Sequence, residues 1–145
     1  MERYLGIDLG EKRIGLAVSD PTLTIAQPLK TLEFTSLPKL VRDLQEVIET
    51  LGISKMIVGL PITLKGTYSQ KTHQIVEMVE KLKQALGLPV ELYDERLTTV
   101  QAQKTMQFLG KKPSRQKGQV DQLAAMHLLQ NYLDQEKSRR KTNGA

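Results

Sequence analysis

Four acids stand where the surrounding pattern calls for apolar or strand-end residues. Asp8 interrupts the apolar run YLGIDL, Asp94 and Glu95 close the stretch VELYDER, and Asp121 opens the apolar stripe of a C-terminal helix. A carboxylate in apolar surroundings costs free energy unless something positive meets it. Each acid has a structural explanation of its own. Asp8 could pair with Lys12, Arg13 or Arg96; Asp94-Glu95-Arg96 could be a solvated charged turn; Asp121 could simply use the helix dipole. Together they point to a shared ligand. There are no cysteines, and His73 and His127 sit at no metal-ligand spacing and read as structural, which argues against zinc. Oxygen-only donors suit hard cations, magnesium or manganese. Two such ions about 4 Å apart can grip both the attacking and the leaving oxygen of a phosphodiester.

The elements that must bring these acids together follow from periodicity. Tyr4–Leu9 and Ile14–Ser19 flank the short turn GEKR and read as an antiparallel hairpin; Gln27–Phe34 reads as a third strand. A helix follows, capped by Thr35 or Ser36, with Pro38 in its first turn and Gly52 at its end. KMIVGLP (Lys55–Pro61) is a short buried strand, so a parallel crossover is expected. After a loop, Ser69–Leu86 reads as the second helix and Val90–Arg96 as the fifth strand. A third helix is expected from Thr98 to about Leu109, a basic loop at Gly110–Gln119, and a last helix over Val120–Glu136. On that helix Asp121, Ala124, Ala125, Leu128, Leu129 and Tyr132 share one side, and the two alanines would allow close approach to the sheet. The sum is an α/β fold with a mixed five-stranded sheet, three antiparallel strands and then parallel crossovers, flanked by helices. In such sheets functional groups collect at the carboxyl ends of the strands.

The chain has 145 residues and a formal net charge of +5, the size of one domain with an excess compatible with a polyanionic partner. Much of the excess lies in Lys111, Lys112, Arg115, Lys117 and the tail KSRRKTNGA, which reads as a solvated end. No apolar run approaches the roughly 20 residues of a membrane span. Strand-like sequence begins at once, without a signal-peptide pattern, and the lack of cysteine fits a reducing cytoplasm.

The stretches GIDLGEKRIGLAVSD, IVGLP with KGT after it, YDERLTT and VDQLAA, in this order, resemble the YqgF/RuvX family, known as Holliday junction resolvases or pre-16S rRNA nucleases. The similarity runs from about Tyr4 to Leu133. It implies an RNase H-like fold and Asp8, Glu95 and Asp121 as the metal-binding, catalytic acids; with the tail read from composition, the expected organisation is one nuclease domain over residues 1–136 and a basic tail at 137–145. Strand alternation puts Asp94 and Glu95 on opposite faces; the resemblance, not the physics, favours Glu95. One departure is ITLKGT, where family members often carry asparagines before the Gly-Thr pair.

The expected activity is metal-dependent hydrolysis of phosphodiesters in structured nucleic acid, first of all at the 5′ end of pre-16S rRNA. Arg96, Lys65, Arg115 and Lys117 are the expected contacts to the nucleic acid, by charge-assisted hydrogen bonds and counterion release. Alternatives are cutting of four-way DNA junctions, a non-catalytic nucleic-acid module, and an ATP-binding enzyme of the actin and sugar-kinase type, which normally needs two such domains. Scarce aromatics argue for duplex or shape recognition over base stacking. Either a monomer or a homodimer fits.

Overall fold

The computed structural model describes residues 2–10, 12–61, 65–95 and 117–143, with backbone alone at 117–120 and 140–143. Five strands form one sheet: β1 (Arg3–Leu9), β2 (Arg13–Ser19), β3 (Ala26–Glu33), β4 (Ile53–Leu60) and β5 (Val90–Asp94). Their spatial order is β3-β2-β1-β4-β5. The β1/β2 and β2/β3 pairs are antiparallel, whereas β4 runs parallel to both β1 and β5. This is the expected mixed sheet. Pro28 lies in β3, an edge strand, where its missing N–H breaks no ladder, and the register shifts beside it.

Helices α1 (Leu37–Leu51) and α2 (Gln70–Leu86) cover one face. Ser36 caps α1, and Gly52 ends it in the left-handed region at φ 68°. Ser69 caps α2 through a reciprocal pair with Thr72, and Gly87 ends it likewise. Alternate residues Leu5, Ile7 and Leu9 of β1, Ile14, Leu16 and Val18 of β2, and Met56, Val58 and Leu60 of β4 pack against these helices.

The other face is covered by α3 (Lys117–Asn143). Its Ala125, Leu128, Leu129, Tyr132 and Leu133 are buried against Ala17, Ile57 and Tyr93. The helix lies very close to the sheet. A Cβ on Gly15 would stand 2.0 Å from the Asp121 carbonyl oxygen, and one on Gly6 would stand 2.8 Å from the Leu129 Cβ. The strand glycines, as much as the helix alanines, permit that approach. The helix is longer than its apolar stripe: it starts at Lys117, not Val120, and runs to Asn143, not Glu136. Past Glu136 the chain carries good helix formers, and Arg139 bridges back to Glu136 at 2.9 Å. The expected helix at Thr98–Leu109 and most of the expected loop before Lys117 lie outside the described residues.

Candidate active site

The acids approach one another at the carboxyl ends of β1 and β5. Asp8 sits next to last in β1, opposite Gly15 of β2. Its neighbours Ile7 and Leu9 are buried against α1 and α2, so alternation turns Asp8 to the side of α3. Glu95 follows the last residue of β5, and alternation with buried Tyr93 gives it the α3 side as well. The space for its carboxyl is supplied by Gly59 of β4, where an added Cβ would lie 2.7 Å from Glu95 Oε1. Asp121, in the first turns of α3, rests its backbone on Gly15. Asp94 ends β5 opposite Leu60, on the other face from Glu95.

The Asp8 and Glu95 carboxyls come close enough to act directly on one another. Burial, and then the charge of Asp121, raise the Asp8 carboxyl above its ordinary range, with Lys71 opposing. Burial and then Asp8 push Glu95 up to about 7, again against Lys71. Asp121 stands slightly apart, its Oδ2 accepting a 2.8 Å bond from Arg13 Nε. Among the described residues no three such side chains already stand as a closed metal cage. Asp8 and Glu95 meet, and Asp121 is near enough for its charge to act on Asp8. The donor set fits a hard divalent cation: oxygens only, acidic, partly desolvated, and only partly offset by neighbouring positive charge.

Two basic residues at this site carry no signal in the sequence. Arg13 is one of two cations in GEKR, and its partner Asp121 is 108 residues away. Lys71 is one lysine on an exposed helix start; only the capping of α2 places it. There Ser69 and Thr72 bond each other, and buried Thr72 also donates to the Pro61 carbonyl, which fixes the β4–α2 connection beside the site.

The expected nucleic-acid contacts are placed only in part. Lys65 is exposed in a turn with Gly66, whose φ is 83°. Lys117 is the first residue of α3 and is described by its backbone alone. Arg96 and Arg115 lie outside the described residues. His73 packs edge-on against Tyr68 at 5.5 Å. His127 is half-buried on α3, and burial lowers its pKa.

Comparisons with known proteins converge on one family. A model of the RuvX family, described as Holliday junction resolvase, matches residues 2–135. A relative from Chloroflexus aurantiacus carrying the name pre-16S rRNA nuclease is 39% identical over 134 residues, 92% of this chain and 88% of its own. One of the same name from Thermoanaerobacter pseudethanolicus is 39% identical over 138 residues, 94% of this chain and 99% of its own. Among solved structures, T. thermophilus RuvC in complex with a Holliday junction substrate superposes with a TM-score of 0.60 at 17% identity, covering 94% of this chain and 97% of that one. The Fowlpox virus resolvase in complex with Holliday junction DNA gives a TM-score of 0.51 at 12% identity, covering 92% and 97%. At such identities the structural likeness bears on the fold, which is RNase H-like as the sequence predicts.

Proposed function

The chain belongs to the RuvX family and is a nuclease, and from that premise we propose that it trims the 5′ end of pre-16S rRNA with the help of Mg2+ or Mn2+. The observation that carries the metal reading is the convergence of the Asp8 and Glu95 carboxyls beside Asp121, with Gly59 leaving the room that Glu95 occupies. Lys71 and Arg13 offset only part of the charge of carboxylates brought this close, and a divalent cation supplies the rest. Asp8, Glu95 and Asp121 would hold the ion; once bound, it supplies Lewis-acid stabilisation and a low-pKa water.

The chain's own cations have separate work. The charge of Lys71 offsets part of that of Asp8 and Glu95. Arg13 holds Asp121 through Nε, and the guanidinium's remaining donors match a phosphate in fork geometry. Lys65, Arg96, Arg115 and Lys117 are the proposed contacts to more distant phosphates. In the reaction a water oxygen bonds to phosphorus, the P–O ester bond breaks, and the leaving oxygen takes up a proton. No side-chain nucleophile is required.

The fold of the junction-bound resolvases supports a second reading, cleavage of four-way DNA, which would call for a two-fold dimer. One assay separates the two. Purified protein with Mg2+ is given precursor 16S rRNA and, separately, junction DNA, alongside Asp8→Asn. The rRNA reading expects cutting of the precursor that falls by about 10²–10³ in the variant, the scale of losing one preorganised transition-state contact. Cutting of junctions alone would overturn it, and equal cutting by the variant would remove Asp8 from the mechanism.

A further inference from the structure

A cavity of about 260 Å³ opens between the β1–β2 turn and the start of α2, on the α1/α2 face of the sheet, across the strand ends from the carboxylates. Its floor is apolar: Leu9 and Ile14 from the hairpin and Ile75 from α2, all buried. Half-buried Phe34 and Met78 line it as well, and exposed Lys71 and Gln74 stand at its rim. The walls are held in place. Phe34 N–H donates to the Lys12 carbonyl at 2.9 Å, and Gly10 N–H closes the hairpin turn on Arg13 at 3.0 Å. The first turn of α2 is fixed by the Ser69–Thr72 pair.

We propose that this cavity is a subsite for one nucleobase of the cleaved strand; the proposal rests on the nuclease reading above. Four features support that occupant. The cavity is smaller than the roughly 300–1,000 Å³ that hold larger ligands, which suits a single ring system and not a whole nucleoside triphosphate. A phenyl ring and a thioether are both good neighbours for a heteroaromatic ring. The Gln74 amide offers a donor and an acceptor, enough to meet the polar edge of any base. Finally, Lys71 stands at the rim of the cavity and is near enough for its charge to act on both Asp8 and Glu95, which links the cavity to the catalytic end. An ammonium there can meet the phosphate of a nucleotide whose base lies within. Insertion of a base requires an unpaired nucleotide, so the strand would be single or locally opened at this point. That modifies the expectation, drawn from scarce aromatics, of recognition by duplex shape alone.

The test is binding to the full-length chain, read without cleavage. Methyl-labelled protein (isoleucine and methionine) is titrated with AMP, CMP, GMP and UMP, and separately with ribose 5-phosphate and ATP, in the absence of divalent metal. The expected result is movement of the Ile14, Ile75 and Met78 methyl signals by the monophosphates and not by ribose 5-phosphate. Gln74→Ala, a surface change, should weaken the response several-fold. Phe34→Ala, with its fold checked by circular dichroism, should weaken a short single-stranded oligonucleotide about tenfold, within the range of losing one stacked base. Silent methyls, or equal movement with ribose 5-phosphate, would overturn the subsite. Much tighter binding of ATP than of AMP would overturn it too, because the polyphosphate would then be the recognised group. None of these readings depends on turnover, so failure of the nuclease assignment in the cleavage assay remains a separate result.

Discussion

Two groups of ionisable side chains lie under α3, at opposite ends of the sheet, and they are finished differently. At the far end Lys55 of β4 reaches Glu91 of β5 at 2.6 Å and the Tyr132 hydroxyl of α3 at 2.6 Å, while that hydroxyl donates to Glu91 at 2.7 Å. The same ammonium lies 5.6 Å and 5.1 Å from the Tyr4 and Tyr132 ring centres. Charge, hydrogen bonds and aromatic faces all find a partner there. At the near end Asp8, Glu95 and Asp121 are an acidic group only partly offset by Lys71 and Arg13. The first arrangement is a clamp that joins two strands to the helix. The second leaves a charge deficit that a ligand can fill, and it costs stability until filled.

The largest expected break in this contrast is Asp8→Asn. Cleavage should fall by about 10²–10³, yet the metal-free variant should melt no lower than the parent, because repulsion with Glu95 and Asp121 is relieved. Addition of Mg2+ should raise the melting temperature of the parent and not of the variant, since an ion that binds only the native state stabilises it by mass action. A variant that melts well below the parent would mean that Asp8 is held by structural partners, as at the other end.

Next comes Gly59→Ala. The new methyl would press on Glu95 Oε1 from 2.7 Å and displace the carboxyl from Asp8. Because a misplacement of about 1 Å can cost about 10²-fold, a loss of cleavage of about tenfold or more is expected, with a change in melting temperature of a few degrees at most. Unchanged kinetics would mean that Glu95 works from another position.

Lys55→Met tests the clamp. The side chain is mostly covered, with 25% exposure, but Glu91 is open to water at 42%, so the loss is modest, about 1–2 kcal/mol by denaturant unfolding. Cleavage per folded molecule should not change. A drop in activity with stability intact would show that the two ends communicate through α3.

The elements and the contacts between them are not equally legible in the sequence. The apolar run Tyr4–Leu9 beside the GEKR turn and the helix-end residues Ser36, Ser69, Gly52 and Gly87 are local signals, and the elements they mark are present. So is the stripe that carries Asp121. The end of α3 differs from the expected one because apolar spacing marks only the buried length of a helix. Lys, Arg and Glu beyond that length continue it by propensity and by the Arg139–Glu136 pair. Contacts between distant segments leave no such trace. Nothing in GEKR selects Arg13 as the partner of Asp121, and a glycine in a buried strand does not announce that it leaves room for a glutamate from the neighbouring strand. The choice of Glu95 over Asp94 comes from a family resemblance for that reason.

The smallest effect expected is also the most specific to the clamp. Partial burial alone would raise the Glu91 carboxyl, but the bonds from Lys55 and Tyr132 outweigh it and hold the group below the ordinary range. A carboxyl lowered in the folded state binds fewer protons there than in the unfolded chain. Its contribution to stability is therefore complete above the unfolded pKa of about 4.3 and is lost as pH falls through the lower folded value. Denaturant midpoints measured from pH 6 down to pH 3 should fall less steeply at the acid end for Glu91→Gln than for the parent, with the two curves parallel above about pH 5. The change should be under about 1 kcal/mol, because Glu91 is exposed and screened. Identical curves across the whole range would mean that the Lys55–Glu91 pair contributes nothing in solution, and the clamp would then rest on the Tyr132 ring, which packs against Tyr4 and Tyr93 at 6.1 Å and 6.0 Å.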